Sequence, residues 1–394
     1  MYNINKIRKH FPIYQKYPNL VYFDSSASSL VPREVIKSQN DYYAYNGTNV
    51  HRGAYRLSYE ATQSYDEARL KVAKFINAEE NEIIFTKGTT DGLNLLANLL
   101  LKDLKEDEII LTSMLEHHSS ILPYFQHNYQ FIPLDQQRIT LSGIKKVMSE
   151  KVKIVAITLG SNTLGYITDI QPIIAYLRQY SCTIILDCAQ VVAHQAINVK
   201  TLDVDFLAFS AHKIFGPNGV GVLYGKEKLL NKYSPLQYGG EMVEKVFIDH
   251  AIYKESPFRH EAGTPNIAGV IGLGAAVDFI NHLGLSNIAK HTNYLKDYLL
   301  RKMALLNEIE IYSQNNELPI ILFNVKEVYP HDIASYLDTY QICVRAGFHC
   351  AQLVTNLLNV DWTIRISLGI YNTISDCEIF IQRIKEAIAY FKGN

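Results

Sequence analysis

Short apolar runs alternate with amphipathic stretches from about residue 65 to residue 280. Seven of the runs read as strands: Glu82 to Phe85, Glu108 to Thr112, Tyr129 to Pro133, Ile154 to Thr158, Thr183 to Leu186, Phe206 to Phe209 and Val220 to Tyr224. Nearly continuous apolar strands separated by helical spacing are the βαβ rhythm of a mostly parallel sheet covered by helices on both faces. In open sheets of this kind ligands gather beyond the carboxyl ends of the strands, so the polar residues that follow each run are the first place to look for chemistry.

The pattern changes after the helix-like stretch Ala268 to Leu283. A long helix around Ile288 to Leu306 leads to strands near Glu310 to Tyr312 and Ile320 to Val325, then a helix, a strand and a last helix over Ser375 to Phe391. This predicts an α/β chain in three parts. Residues 16–283 form a large domain with a mostly parallel seven-stranded sheet, residues 284–394 a smaller C-terminal α+β domain, and residues 1–15 an arm packed on the smaller domain.

With 394 residues, 48% of them hydrophobic, the chain has ample material for a core. The net charge of -1 and the lack of any long block of like charge argue against a nucleic-acid partner or a membrane surface. No apolar run reaches membrane-spanning length, and Met1 to Lys9 lacks the apolar core of a secretory signal, so the cytoplasm is the expected location. Five cysteines at 182, 188, 343, 350 and 377 show no C-x-x-C spacing, which gives neither a disulfide framework nor a zinc site. Cys182 and Cys343 read as small buried hydrophobes. Cys350 differs, because Arg345-Ala346-Gly347-Phe348-His349-Cys350 sets a cation and an imidazole near its thiol.

Candidate chemistry clusters after the strands. Phe209-Ser210-Ala211-His212-Lys213 ends a strand in a hydroxyl, an imidazole and an amine, which makes Lys213 a candidate Schiff-base former. Asp187, at the end of Cys182 to Leu186, can keep a pyridinium nitrogen protonated. Thr86-Lys87-Gly88-Thr89-Thr90-Asp91-Gly92 places hydroxyls and free N–H groups at a helix N-terminus, suited to a phosphate or simply to an N-cap, with Ser210 and His212 as further donors. An imidazole of Glu116-His117-His118 can stack on a heteroaromatic ring, while Asn162 and Gln190 can serve a phenolic oxygen. Adjacent histidines on one loop rarely ligate one ion, so no metal is expected. Arg365, among apolar neighbours in Trp362 to Leu368, suits a substrate carboxylate or an interdomain ion pair. Together these residues describe a pyridoxal phosphate enzyme acting on an amino acid.

With these segments the sequence resembles the cysteine desulfurases of the class V aminotransferase family, specifically the SufS-like group, from about Tyr22 to Ala389. The resemblance rests on Asn49-Val50-His51-Arg52-Gly53, Thr86 to Asp91, Glu116-His117-His118, Asp187 to Gln190, Ser210 to Lys213 with Gly216 to Gly221, Glu261 to Asn266 and Val344 to Gln352. It implies the fold type I of pyridoxal phosphate-dependent transferases, a homodimer, and pyridoxal 5'-phosphate on Lys213. His117 would stack on the ring, Asp187 would face its nitrogen, and Gln190 and Asn162 would serve its oxygen. Thr89, Thr90, Ser210 and His212 would hold the phosphate, and Thr264 would reach that of the partner subunit.

The implied reaction takes L-cysteine to L-alanine, with Lys213 moving the α-proton and Cys350 taking the sulfur as a persulfide. Arg365, Arg345, Asn162 and His51 would hold the substrate, and the short interval from Cys350 to Arg365 implies a compact nucleophile loop. An acceptor protein would then take the sulfur, for iron-sulfur cluster assembly or tRNA thiolation. His331 stands where relatives served by a SufU-like zinc protein carry a histidine.

Three positions depart from the family pattern. Ala211 and Cys188 stand where glycine is frequent, and Phe348 replaces a frequent histidine, which removes a proton carrier beside the nucleophile. Selenocysteine lyase on the same scaffold is the nearest rival. An aminotransferase leaves the segment from Arg345 to Cys350 unexplained, and a non-catalytic assembly protein would have no use for Lys213, Asp187, Arg365 and Cys350.

Overall fold

The structure, a computed structural model, describes residues 4–393. Its main layer is a seven-stranded sheet of β1 (Ile83–Thr86), β2 (Ile109–Thr112), β3 (Tyr129–Phe131), β4 (Val152–Thr158), β5 (Thr183–Asp187), β6 (Phe206–Ser210) and β7 (Gly221–Gly225). The spatial order is β1-β7-β6-β5-β4-β2-β3. Only β7 runs antiparallel to its neighbours β1 and β6; the other pairings are parallel. Every strand expected in this region is present, with ends displaced by at most two residues.

Alternation along the strands explains their continuous apolar character. Val155 and Ile157 of β4 and Leu207 and Phe209 of β6 join one core, while Ile154, Ala156, Phe206 and Ala208 join a second core on the other face. Both faces are thus dry. The helix Thr89–Leu100 covers the second face, and Arg56–Ile76 packs with Ile267–Leu283 on the first.

A four-stranded antiparallel sheet follows, formed by β8 (Ile309–Ile311), β9 (Ile320–Val325), β10 (Arg345–Gly347) and β11 (Thr363–Ser367) in the order β8-β9-β11-β10. Helices Leu285–Met303, Pro330–Asp338 and Ile374–Lys392 pack on it around Phe323, Ile364 and Phe380. The chain turns into this unit at Gly284, whose φ of 80° is a conformation that favours glycine.

Residues 1–3 of the expected arm lie outside the described residues. Its remainder touches both sheets' surroundings: Arg8 pairs with Asp376, and the Phe11 ring meets Tyr371, Phe215 and Phe279. Among the described residues no single helix is long and apolar enough to cross a membrane. The helices Ile267–Leu283 and Leu285–Met303 would be long enough together, but they meet at 74° and the first is largely buried.

Candidate functional site

The sheet order brings the ends of β4, β5 and β6 side by side, and the turns after β1 and β2 close over them. On β6 the chain leaves the sheet through a short turn at Ala211–Lys213 and returns as β7, which fixes Lys213 just past the strand end. Ala211 fits this turn because a glycine faces it: a Cβ on Gly216 would lie 2.9 Å from the Ala211 Cβ. Asp187 is the last residue of the neighbouring β5. From the other side the four-stranded sheet contributes Arg345 on β10, Arg365 on β11 and the loop that carries Cys350.

These elements enclose a cavity of about 210 Å³. Thr89, Thr90, His117, Asn162, Asp187, Gln190, Ser210, His212, Lys213, Arg345, Cys350 and Arg365 all line it. The two remaining expected site residues do not. Thr264 lines a separate, larger cavity of about 830 Å³ with Lys87 and Glu261. His51 packs edge-on against Tyr65 and Phe258, with ring centroids 5.8 and 5.5 Å away.

Burial sets the protonation states inside. Desolvation pulls the Lys213 ammonium down to about 8, against the opposing pull of Asp187 and with help from Arg365. At neutral pH roughly a tenth of such a lysine is free amine, some 300-fold more than for an ordinary lysine. Burial pushes the Asp187 carboxyl up, and Lys213 and the Ala189 N–H, which donates to Oδ1 at 2.9 Å, hold it down. Desolvation and Lys213 bring His117 to about 3 and His212 to about 4, so both imidazoles are neutral at physiological pH. A neutral ring stacks on a heteroaromatic partner without importing charge.

The Thr89 end of the cavity is built for an anion. The Thr89 N–H donates to Ser210 Oγ at 2.7 Å, and the two hydroxyls lie 2.7 Å apart. They sit at the N-terminus of the helix Thr89–Leu100, where unpaired N–H groups and the helix dipole favour negative charge. Gly221 allows the close approach behind it, since a Cβ there would lie 2.4 Å from the Gly88 Cα.

At the opposite end Arg365 is fully buried. Its Nη1 donates to the Asn162 carbonyl at 2.8 Å and its Nη2 to Asp24 Oδ1 at 3.2 Å, while Nε has no partner. Asn162 Nδ2 donates to the His349 carbonyl at 2.7 Å, and Asn162 Oδ1 is likewise buried without a partner. Orphaned buried polar atoms are rare, and here they mark where a ligand's polar groups fit.

The loop that carries Cys350 is held under strain. His349 and Cys350 both adopt left-handed backbone, at φ 55° and 56°, a conformation that costs a non-glycine residue about 1–2 kcal/mol. His118 clamps it: the His118 N–H donates to the Cys350 carbonyl at 2.8 Å, and the Gln352 N–H donates to His118 Nε2 at 3.2 Å. Cys350 itself is exposed. Burial and the guanidiniums of Arg365 and Arg345 keep His349 well below its usual range, and its Nε2 lies 2.9 Å from Thr363 Oγ1. It is therefore a neutral positioning group, and the cations near the thiol are Arg345, Arg365 and Lys213. Phe348 lies against Trp362 at 4.4 Å, and Trp362 in turn meets His331, which stacks on Tyr329 at 5.0 Å. Cys188 is wholly buried in the core behind Asp187.

Sequence reasoning missed Asp24 altogether and read Glu116 and His118 only as parts of a motif, without their contacts. Glu116 is 1% exposed and accepts from Ser113 Oγ, Ser120 Oγ and the Thr158 N–H at 2.7, 3.1 and 3.0 Å, which ties the His117 loop to the end of β4. His118 and Asp24 act through partners more than 200 residues away, so no local pattern betrays them. Among the described residues no group of three or more His, Cys, Asp or Glu side chains could hold a metal ion.

The model of the family described as "Aminotransferase class-V" matches residues 21–380. A probable cysteine desulfurase from Halalkalibacterium halodurans is 41% identical, with 99% of each chain covered. A cysteine desulfurase from Serratia proteamaculans is 38% identical over 98% of this chain and 99% of its own. Among solved structures, the apo cysteine desulfurase from Thermococcus onnurineus NA1 superposes with a TM-score of 0.95 at 36% identity, covering 100% of this chain and 99% of its own. The S-sulfonic acid form of an Escherichia coli cysteine desulfurase gives 0.93 at 31% identity, with 99% of each covered.

Proposed function

The chain belongs to the class V aminotransferase family, and from that premise we propose that it is a cysteine desulfurase of the SufS-like group, converting L-cysteine to L-alanine and passing the sulfur to a protein acceptor. One observation carries the reading: a single small cavity holds a lysine pulled down to about 8, a buried carboxylate, a hydroxyl-lined helix N-terminus and a buried arginine, with an exposed cysteine at its rim.

These residues fit pyridoxal phosphate. Thr89, Thr90, Ser210 and His212 would hold its phosphate, Asp187 its ring nitrogen, His117 its face, and Asn162 and Gln190, through amide N–H groups, its ring oxygen. When bound, the cofactor supplies an aldehyde for an amine and an electron sink that weakens bonds at the substrate α-carbon. Lys213, free as an amine in part of the population near neutral pH, takes up and returns the α-proton. Arg365 grips the substrate carboxylate through its open Nε edge, with Arg345 as a second contact. The Cys350 thiolate then attacks the substrate sulfur: an S–S bond forms, the substrate's Cβ–S bond breaks, and the carbon skeleton leaves as L-alanine after protonation. The clamp from His118 holds the nucleophile loop in place.

His51 and Thr264 support a homodimer in this reading. Both belong to the expected site and both lie outside the cavity of their own chain, so they are assigned to the site of the partner subunit. The five cysteines are all free thiols, which suits the reducing cytoplasm. Iron-sulfur cluster assembly through a SufU-like zinc protein is the proposed destination of the sulfur. His331 supports it, joined through Trp362 to Phe348 beside the nucleophile loop and with an unpartnered Nδ1.

The test is to supply pyridoxal phosphate and L-cysteine anaerobically and measure L-alanine and persulfide together, with and without candidate acceptors. Equal early amounts of the two products support the reading, and alanine without persulfide on the protein contradicts it. Unchanged acceptor stimulation in His331→Ala would remove His331 from the proposal.

A further inference from the structure

Arg345 and Arg365 stand directly opposite each other on β10 and β11. Two guanidiniums facing across antiparallel strands repel. The chain relieves this with a third group, because Asp24, whose backbone bridges to Ser367 on β11, sends its carboxylate between them. Arg345 Nε donates to Asp24 Oδ1 and Oδ2 at 3.2 and 3.1 Å, Arg345 Nη2 to Oδ2 at 3.0 Å, and Arg365 Nη2 to Oδ1 at 3.2 Å.

The edge of a guanidinium formed by Nε and Nη2 is one that a carboxylate grips with two parallel bonds. On Arg365 that edge is half taken, since Asp24 holds Nη2 while Nε is buried and unpaired. We infer that Asp24 is an internal competitor for the substrate's carboxylate, displaced from Arg365 when an amino acid binds. The inference rests on the reading of Arg365 as the substrate clamp. Two guanidiniums facing one carboxylate leave one positive charge uncompensated, and that charge draws a second carboxylate in. Asp24, retained by Arg345, then repels the newcomer at close range. It thereby sets a binding balance: the arginines stay ordered when the site is empty, and L-alanine, which carries the same carboxylate as L-cysteine, is pushed out after turnover.

The experiment compares wild type with Asp24→Asn, which keeps shape but not charge, and Asp24→Ser, which leaves room for water. In the holoenzyme, KM for L-cysteine should fall by about two- to fivefold, the size of one partly exposed ion pair. L-Alanine, titrated calorimetrically, should bind tighter by the same factor in both variants. Unchanged or weaker alanine binding, or a raised KM, overturns the inference and leaves Asp24 as a residue that only orients the arginines. Should Asp24→Asn fail to fold, Asp24→Ser decides alone. Failure of the wild type to form alanine from cysteine would instead sink the desulfurase reading, so the two failures are distinguishable.

Discussion

Replacing Arg69 with methionine should lower the melting temperature by about 4–6 °C, because it strands a buried carboxylate. Arg69 and Glu261 form a two-bond pair, Nη1 to Oε1 at 2.9 Å and Nη2 to Oε2 at 2.7 Å, with side chains only 4% and 10% exposed. The Phe85 N–H also donates to Glu261 Oε1 at 2.7 Å, and the guanidinium lies over the Phe85 ring at 4.6 Å. Removing one partner of such a pair leaves an uncompensated charge and costs about 3–5 kcal/mol. For a chain of 394 residues the unfolding entropy is roughly 0.8 kcal/mol per degree, which converts that cost to the stated shift if unfolding is cooperative. The double variant Arg69→Met with Glu261→Gln should recover at least half the loss, since a pair replaced as a whole is often nearly neutral. Scanning calorimetry of the four proteins reads this directly. A shift under about 1 °C for Arg69→Met, or a double variant equal to the sum of the singles, refutes the reasoning. The pair also anchors the segment that carries Thr264, so if Thr264 serves the partner's site as proposed, Arg69→Met should weaken pyridoxal phosphate binding although Arg69 does not line the cavity around Lys213.

The apoprotein's capture of pyridoxal phosphate, followed by absorbance, should rise with pH from 7 to 9 with a midpoint near 8, as Lys213 loses its proton. The sign follows from a lowered pKa: the reactive free amine accumulates as pH climbs through 8, and a midpoint near the ordinary lysine value of about 10.5 would show that burial does not perturb it. His118→Ala should cut persulfide formation on Cys350 several-fold while leaving cofactor absorbance intact, because it removes the Nε2 that accepts from the Gln352 N–H and so loosens the Cys350 loop, although the backbone N–H at 118 still donates to the Cys350 carbonyl; an equal loss of both would place His118 elsewhere in the mechanism. Glu116→Leu should destabilise by about 1–3 kcal/mol, since the rigid Thr158 N–H is left buried without a partner, whereas Glu116→Gln should retain most of the stability.

The central strands β4 to β7 were legible because each is dry on both faces, and the hydroxyl-lined helix start was legible because its glycine and threonines are contiguous in Gly88 to Thr90. Lys213 and Asp187 could be paired from sequence because each ends a recognisable strand and parallel order puts such ends together. Asp24 was not legible. It lies in a serine-rich stretch with no chemistry of its own and gains its role from arginines more than 300 residues downstream. His118 was read only as part of a motif, since its contacts to Cys350 and Gln352 exist only after the two sheets have packed. His51 and Thr264 were expected in the site through resemblance alone, and neither lines the cavity of its own chain.

The central claim is that Cys350 receives the sulfur that Lys213 helps to release. Mass spectrometry of the holoenzyme after a single anaerobic turnover of L-cysteine tests it most directly. The account predicts a gain of one sulfur atom on the peptide carrying Cys350, removable by reductant, together with one equivalent of L-alanine, and neither change in Cys350→Ser. Alanine formed at an undiminished rate by Cys350→Ser, or sulfur found on Cys182, Cys188, Cys343 or Cys377 in its place, would contradict it.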